Sequence, residues 1–243
     1  IDTTSNNLAN VNTTGFRKNT AHFQDLIYQN LRAPGTPVGP SVVPVGQDVG
    51  LGVKIGASEK SFTQGVLQQT SNPLDLAIEG DGFFQVTQPD GTAAYTRDGS
   101  FKRDANGSLV TADGNLLAPQ ITIPANAVQV QIGQDGIVSA LIPGQQTPQQ
   151  LGQISLVRFT NAAGLAPQGK NLYVQTGASG APTISQPGLN GTGTLQGGYL
   201  EQSNVAVVEE MVNLITAQRA YEANSKAITT ADEMLQTAVQ TKR

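Results

Sequence analysis

From Ser203 to Arg243 the chain carries neither glycine nor proline, and Val207, Leu214, Tyr221, Ile228 and Leu235 recur at a seven-residue spacing. Ala217, Asn224, Ala231 and Ala238 fill the intermediate position of each heptad, so large and small residues alternate along one face. That pattern predicts one long helix built to lie against other helices. At the standard rise it spans roughly 50 Å, longer than the core of an ordinary domain requires. Burying the five large seam residues yields on the order of 10 kcal/mol. Ordering the backbone costs roughly 1–2 kcal/mol per residue before hydrogen bonds offset it. Alone, the helix is marginal, and a polar Asn224 on the seam suits a register-setting role between helices.

The middle of the chain changes period. Phe83 to Val86, Tyr95 to Phe101, Leu109 to Thr111, Val128 to Ile132, Ile137 to Leu141, Ile154 to Phe159 and Leu172 to Val174 read as short strands. Asp90-Gly91, Asn106-Gly107, Asp113-Gly114 and Asp135-Gly136 lie between them, the dipeptides that tight hairpin turns require. VQVQI at 128–132 alternates cleanly, which predicts a sheet with one wet face.

Towards the start, Ile1, Leu8 and Val11 share a helical stripe, with Gly15 in NTTG as the expected stop. A second helix is expected from Thr20 to Leu31, burying Phe23, Leu26, Ile27 and Leu31. From Arg32 to Asn72, Pro34, Pro37, Pro40 and Pro44 forbid helix. Val42, Val43, Val45, Val49, Val53 and Ile55 are too apolar for a solvated tether, so an extended segment packed on a neighbouring surface is expected, with a mobile proline-rich tip. The predicted architecture is a mainly β body at 73–199, an antiparallel hairpin-rich sheet or open barrel. It is inserted between N- and C-terminal helices, 1–31 and 200–243, that pair as a coiled-coil-like stalk, with 32–72 as a Pro/Gly-rich connector.

Composition narrows the chemistry. A net charge of −4 argues against nucleic acid as a partner. There is no cysteine, so disulfides, thiol nucleophiles and Cys-ligated zinc are excluded, and His22 is the single histidine. A catalytic triad would have to use His22, which has no nucleophile-elbow motif near it. DANGSLVTADGN at 104–115 has the flavour of a calcium loop, but its glycine falls at the fourth position and Asn115 stands where Glu is needed, so a hairpin is expected. Asp75, Glu79 and Asp81 could form a carboxylate pair, yet beside Gly80 and Gly82 they read as turn residues. Glu222 and Lys226 are expected to form a solvated i,i+4 pair. No catalytic, cofactor or metal site is expected. No apolar run approaches the roughly 18–20 residues of a membrane span, and IDTTSNN lacks the features of a signal peptide. Because Ile1 is not Met and already lies within a helical pattern, further residues are expected upstream, facing part of the C-terminal helix.

Specific stretches carry a resemblance. SNNLANVNTTGFRK at 5–18 is similar to the N-terminal signature of the bacterial flagellar rod and hook family, and LEQSNVAVVEEMVNLITAQRAYEANSKAITTADEMLQ at 200–236 resembles its closing helix. EGDGFFQV at 79–86, YTRDGSF at 95–101, ITIPANA at 121–127 and GLNGTGTLQGGYLEQSNV at 188–205 resemble the members that build the distal rod.

The resemblance implies paired terminal helices forming an inner layer, with many copies stacked as a hollow helical drive shaft between motor and hook. It implies export through the central channel by the flagellar type III apparatus without a cleaved signal peptide, and a place in the periplasm. Implied partners are further copies of the chain, proximal rod proteins, hook or hook-junction subunits and the surrounding periplasmic and outer-membrane rings. The expected assembly interface comprises Asn6, Asn7, Leu8, Ala9, Asn10, Val11, Gly15 and Phe16 at one end of the chain. At the other it comprises Val207, Leu214, Ala217, Tyr221, Asn224, Ile228, Ala231, Leu235 and Ala238. A proximal rod or hook subunit is the nearer alternative, and a secreted glycan-binding or glycan-cleaving β protein the distant one.

Overall fold

A computed structural model describes residues 1–35, 37–38, 41–42, 44–144 and 147–241. The chain forms two compact units, one made of Ile1–Lys18 with Phe62–Arg243, the other of Asn19–Ser61.

In the first unit the β body is antiparallel throughout and centres on the strand Phe83–Thr87. This strand pairs with Ala93–Thr96, Leu116–Ala118 and Leu156–Arg158, and the sheet reaches nine strands. All four predicted turn dipeptides fall between paired strands, and Gly91, Gly107, Gly114 and Gly136 take the positive φ such turns need. The strand predicted over Tyr95 to Phe101 runs instead from Ala93 to Thr96, because Asp98 accepts the Ser100 N–H in a tight turn.

Neighbouring residues on the central strand serve different cores. Phe84 and Val86 join Leu76, Ile78, Phe101, Leu117 and Leu156 in the larger cluster. Phe83 faces the other way, into Tyr95, Val157, Phe159 and Tyr173. The strand is therefore covered on both faces at its start, which is why the adjacent Phe83 and Phe84 are both large and apolar. Gln129–Ile132 behaves differently, with Val130 and Ile132 half-buried and both glutamines less covered, as alternation predicts. Two short ladders, Leu67–Gln69 with Tyr199–Glu201 and Leu76–Glu79 with Thr194–Gly197, bring the chain's arrival at the body and its departure side by side.

The α-helices among the described residues of this unit are α1, Asp2–Ala9, and α2, Val207–Thr241. Helix α1 ends before Gly15, at Asn10, whose N–H is shared between the Asn6 and Asn7 carbonyls. Gly15 instead makes a buried turn at φ +68, its N–H donated to the Glu201 carbonyl at 2.9 Å. A Cβ there would lie 2.6 Å from the Asp98 nitrogen, so only glycine fits between the two segments. Helix α2 has 35 residues and runs about 52 Å at 1.5 Å per residue. Its first turn carries Glu209 and Glu210, which suit the positive end of the helix dipole.

The second unit corrects the helix expected over Thr20–Leu31. That segment is two strands, Asn19–Asp25 and Tyr28–Arg32. The first pairs with Val53–Lys60 and the second with Gln47–Gly50, giving a long antiparallel ribbon with a bulge between His22 and Phe23. The helical stripe finds nothing in the unit to pack on, whereas the returning strand satisfies the backbone, so pairing overrides the local period. Phe23, Ile27, Tyr28, Leu31, Val49, Val53 and Ile55 all remain exposed. At the proline-rich tip, Pro40 and Val43, with Thr36 and Gly39, lie outside the described residues, and so does the mobility expected there.

Candidate assembly interface

The N-terminal motif is held against the start of α2 by polar contacts. Asn7 is buried in α1 and donates from Nδ2 to Glu210 Oε2 at 3.2 Å. Lys18 pairs with the same Glu210 at 2.7 Å and with Glu209 at 3.1 Å. Its backbone N–H donates to Asn204 Oδ1 at 2.7 Å, just ahead of the helix. The Glu210 carboxylate raises the Lys18 ammonium above its ordinary value, with Glu209 adding to it.

The expected interface residues fall into two sets. Asn7, Gly15 and Phe16 are buried within the chain, and Leu8, Asn10 and Val11 are half-buried, while Asn6 and Ala9 are exposed. On α2, Leu214 and Ala217 are half-buried near the body. Beyond them the seam is bare: Tyr221 is 70% exposed, Ile228 65% and Leu235 66%, and Asn224, Ala231 and Ala238 are exposed as well. Val207 is also exposed.

Sequence reasoning missed a second stripe. Val208, Met211 and Ile215 are exposed large residues spaced three and four apart, on a helix face adjoining Val207 and Leu214. Their spacing was the available signal. With them the apolar face near the body is wider than a two-helix seam, which suits contact with more than one neighbouring helix. Several threonines on α2 need no partner outside it, since Thr216, Thr230 and Thr237 each donate to the carbonyl four residues back. Glu222 pairs with Arg219 at 2.9 Å, not with Lys226, because its carboxylate turns back one turn to the guanidinium; both side chains are solvated and the pair contributes little.

A buried ionic knot joins the pieces. Glu201, 1% exposed, receives Arg17 Nη2 on Oε1 at 2.7 Å and Arg97 Nε on Oε2 at 2.9 Å. The Gly65 N–H donates to Oε1 at 2.8 Å. Arg97 also donates from Nη1 to the Gly80 and Gly82 carbonyls, at 2.8 and 2.7 Å. One carboxylate thus fastens the N-terminal loop, the β body and the strand leading into α2. Burial lowers the Arg97 guanidinium; Glu201 opposes that effect and the like charge of Arg17 adds to it. Arg17, Arg97 and Glu201 all lie in stretches that carry the family resemblance, but their pairing was not readable from the sequence, because they are 104 and 184 positions apart.

The candidate chemistry resolves into structure. His22 lies on the ribbon 3.3 Å from Glu59. Asp104 Oδ1 accepts the Asn106 and Ser108 N–H groups, closing a hairpin turn. Asp75 accepts from Thr70 and Asn72, both at 2.7 Å. Among the described residues no group of three or more His, Cys, Asp or Glu is placed to hold a metal. No described helix is long and apolar enough to cross a membrane.

Burial pushes the Tyr173 phenol up to about 12, the nearby charge of Arg17 acting weakly the other way. An unfolded tyrosine loses its proton near pH 10. Between pH 10 and about 12 the unfolded chain therefore sheds a proton that the folded chain retains, and stability falls by about 1.4 kcal/mol per pH unit. Lys18 acts in the same direction, since its raised value makes its contribution fade as pH climbs above 10.5. Urea midpoints at successive alkaline pH values should show this decline, and Tyr173→Phe should make it shallower. An equal slope in wild type and variant rules out Tyr173 as its source.

Three family models match the chain. "Flagella basal body rod protein" covers residues 1–17, "Flagellar hook protein FlgE/F/G D1 domain" covers 77–140, and "Flagellar basal body rod FlgEFG protein C-terminal" covers 196–241. The flagellar basal-body rod protein FlgG of Buchnera aphidicola subsp. Schizaphis graminum is 53% identical over 96% of this chain and 90% of its own. That of Borreliella burgdorferi is 50% identical over 100% of this chain and 93% of its own. The rod protein FlgF of Caulobacter vibrioides is more distant, 37% identical over 99% of this chain and 90% of its own. The two terminal models sit on the segments that the knot and the Asn7–Glu210 contact bring together, and the third on the β body. The chain belongs to the flagellar basal-body rod protein family and stands within it among the structural rod proteins named FlgG, which are not enzymes.

Proposed function

We propose that this chain is a structural subunit of the distal flagellar rod, which polymerises into a hollow helical drive shaft carrying torque from motor to hook. The observation that carries the reading is the bare apolar seam of α2, Tyr221, Ile228 and Leu235, on a helix far longer than its own body covers. Identical subunits joined through contacts that do not close on themselves generate a helical filament. In that filament the N- and C-terminal helices pair with each other as a coiled-coil-like stalk and belong to an inner helical layer packed against neighbouring copies. The β body sets lateral contacts, and torque passes through many small interfaces in parallel.

Proximal rod proteins, hook or junction subunits and the surrounding rings are the partners this role requires. The rod crosses the periplasm, and its subunits reach the tip through the central channel by type III export. A proximal rod or hook subunit is the second reading, favoured by the match over 77–140, whose description spans hook and rod proteins. Purified chain should form straight tubes in electron micrographs and restore the distal segment in cells lacking their own distal rod protein. Curved tubes, or incorporation next to the motor, would favour the second reading.

A further inference from the structure

We propose that a pocket beside the ionic knot is a carboxylate-binding site. It has a volume of about 190 Å³, and its walls include Arg17, Arg97, Arg158, Asp81, Phe62 and Phe83.

The charges around this pocket do not balance. Arg17 and Arg97 are 1% and 4% exposed and share the one carboxylate of Glu201. Arg158 and Asp81, both exposed, are the other charged groups of the wall. Three guanidinium groups against two carboxylates leave one positive charge in excess. Arg17 also keeps Nε and Nη1 buried without a hydrogen-bond partner, a costly state for a charged donor. Arg158 forms no ion pair with any described residue, and its Nη1 lies toward Gly191.

This combination selects its ligand class. One excess positive charge matches a monoanion, and a doubly charged phosphate would over-neutralise it while facing Asp81. A carboxylate fits the planar fork of a guanidinium, and phenylalanine on the wall suits an apolar stem behind it. The ligand is thus a carboxylate on a short aliphatic stem, offered either by an acidic side chain of a second copy of this chain or by a free aliphatic acid. The site stands independently of the rod reading; only the second-copy source rests on it.

The probe is sodium butyrate, compared with sodium chloride at equal ionic strength on the unpolymerised full chain. Butyrate should shift the Arg17 Nε–H resonance saturably and raise the thermal midpoint, by roughly 3–5 °C at a concentration ten times the dissociation constant. Arg158→Gln should weaken both responses. Arg158 is exposed, and the Arg17 resonance in wild type tests the site even if that variant folds poorly. No saturable shift, or an equal thermal response in a folded Arg158→Gln, overturns the site and leaves a cavity filled by water. In polymerising chain, a several-fold rise in critical concentration with butyrate, and again with Arg158→Gln, identifies the second copy as the source. Unchanged polymerisation with binding retained identifies a free acid. Failure of the chain to polymerise at all bears on the rod reading and leaves the resonance test intact.

Discussion

Replacing Glu201 by Gln is expected to lower the unfolding free energy by about 3–5 kcal/mol, the range for removing one partner from a buried ion pair. The loss comes less from missing attraction than from what remains. Arg17 and Arg97 stay buried, and among the described residues no other acid forms an ion pair with either guanidinium. Gly65 also loses a charged acceptor. Arg17→Met in the Glu201→Gln background should recover part of the loss, because it removes one of the two uncompensated charges, so the double variant falls short of the sum of the singles. Urea unfolding of wild type, the two single variants and the double variant measures this. A Glu201→Gln midpoint within error of wild type would show that the knot contributes nothing net.

The position of the knot connects stability to mechanics. Glu201 ends the strand Tyr199–Glu201, a few residues ahead of α2, and its backbone carbonyl also holds Gly15. Asn204 and Glu210 then fix Lys18 and Asn7 to the first turns of the helix. The junction is thus cross-linked at successive points by charged or amide groups. Such contacts have narrow geometric tolerance, so a twist applied to α2 reaches the β body with little slack.

Local signals made much of this fold legible. Asp-Gly and Asn-Gly turns announce themselves within a few residues, and every one of the four predicted falls between paired strands. Helix α2 was legible from its length and the absence of glycine and proline. The ribbon was not, because Phe23, Leu26, Ile27 and Leu31 fit a helical period by themselves, and what decides otherwise is a strand reaching from Val53 to Lys60. The knot was illegible for the same reason at greater range. A lone Arg or Glu has no period, and its burial is set by segments that meet only once the body has folded.

The bare seam of α2 yields the sharpest separation of stability from assembly. Tyr221→Asp or Ile228→Asp should leave the free chain within about 0.5 kcal/mol of wild type, as expected for exposed positions. Tyr221 is 70% exposed and Ile228 65%, and neither is part of the chain's own core. In the polymer the same substitution removes an apolar contact worth roughly 1.5–3 kcal/mol and places an unpaired carboxylate in a desolvated seam. A penalty of about 3 kcal/mol per contact already raises the critical concentration roughly 100-fold, and every subunit along the tube carries the same lesion. Sedimentation of purified chain should therefore show no polymer at concentrations where wild type is fully assembled, while its urea midpoint is retained. Lys226→Ala, away from the seam, should polymerise as wild type does. Tubes formed by Ile228→Asp at the wild-type critical concentration would remove this face from the subunit contacts and leave the second exposed stripe of α2, Val208, Met211 and Ile215, as the next one to test.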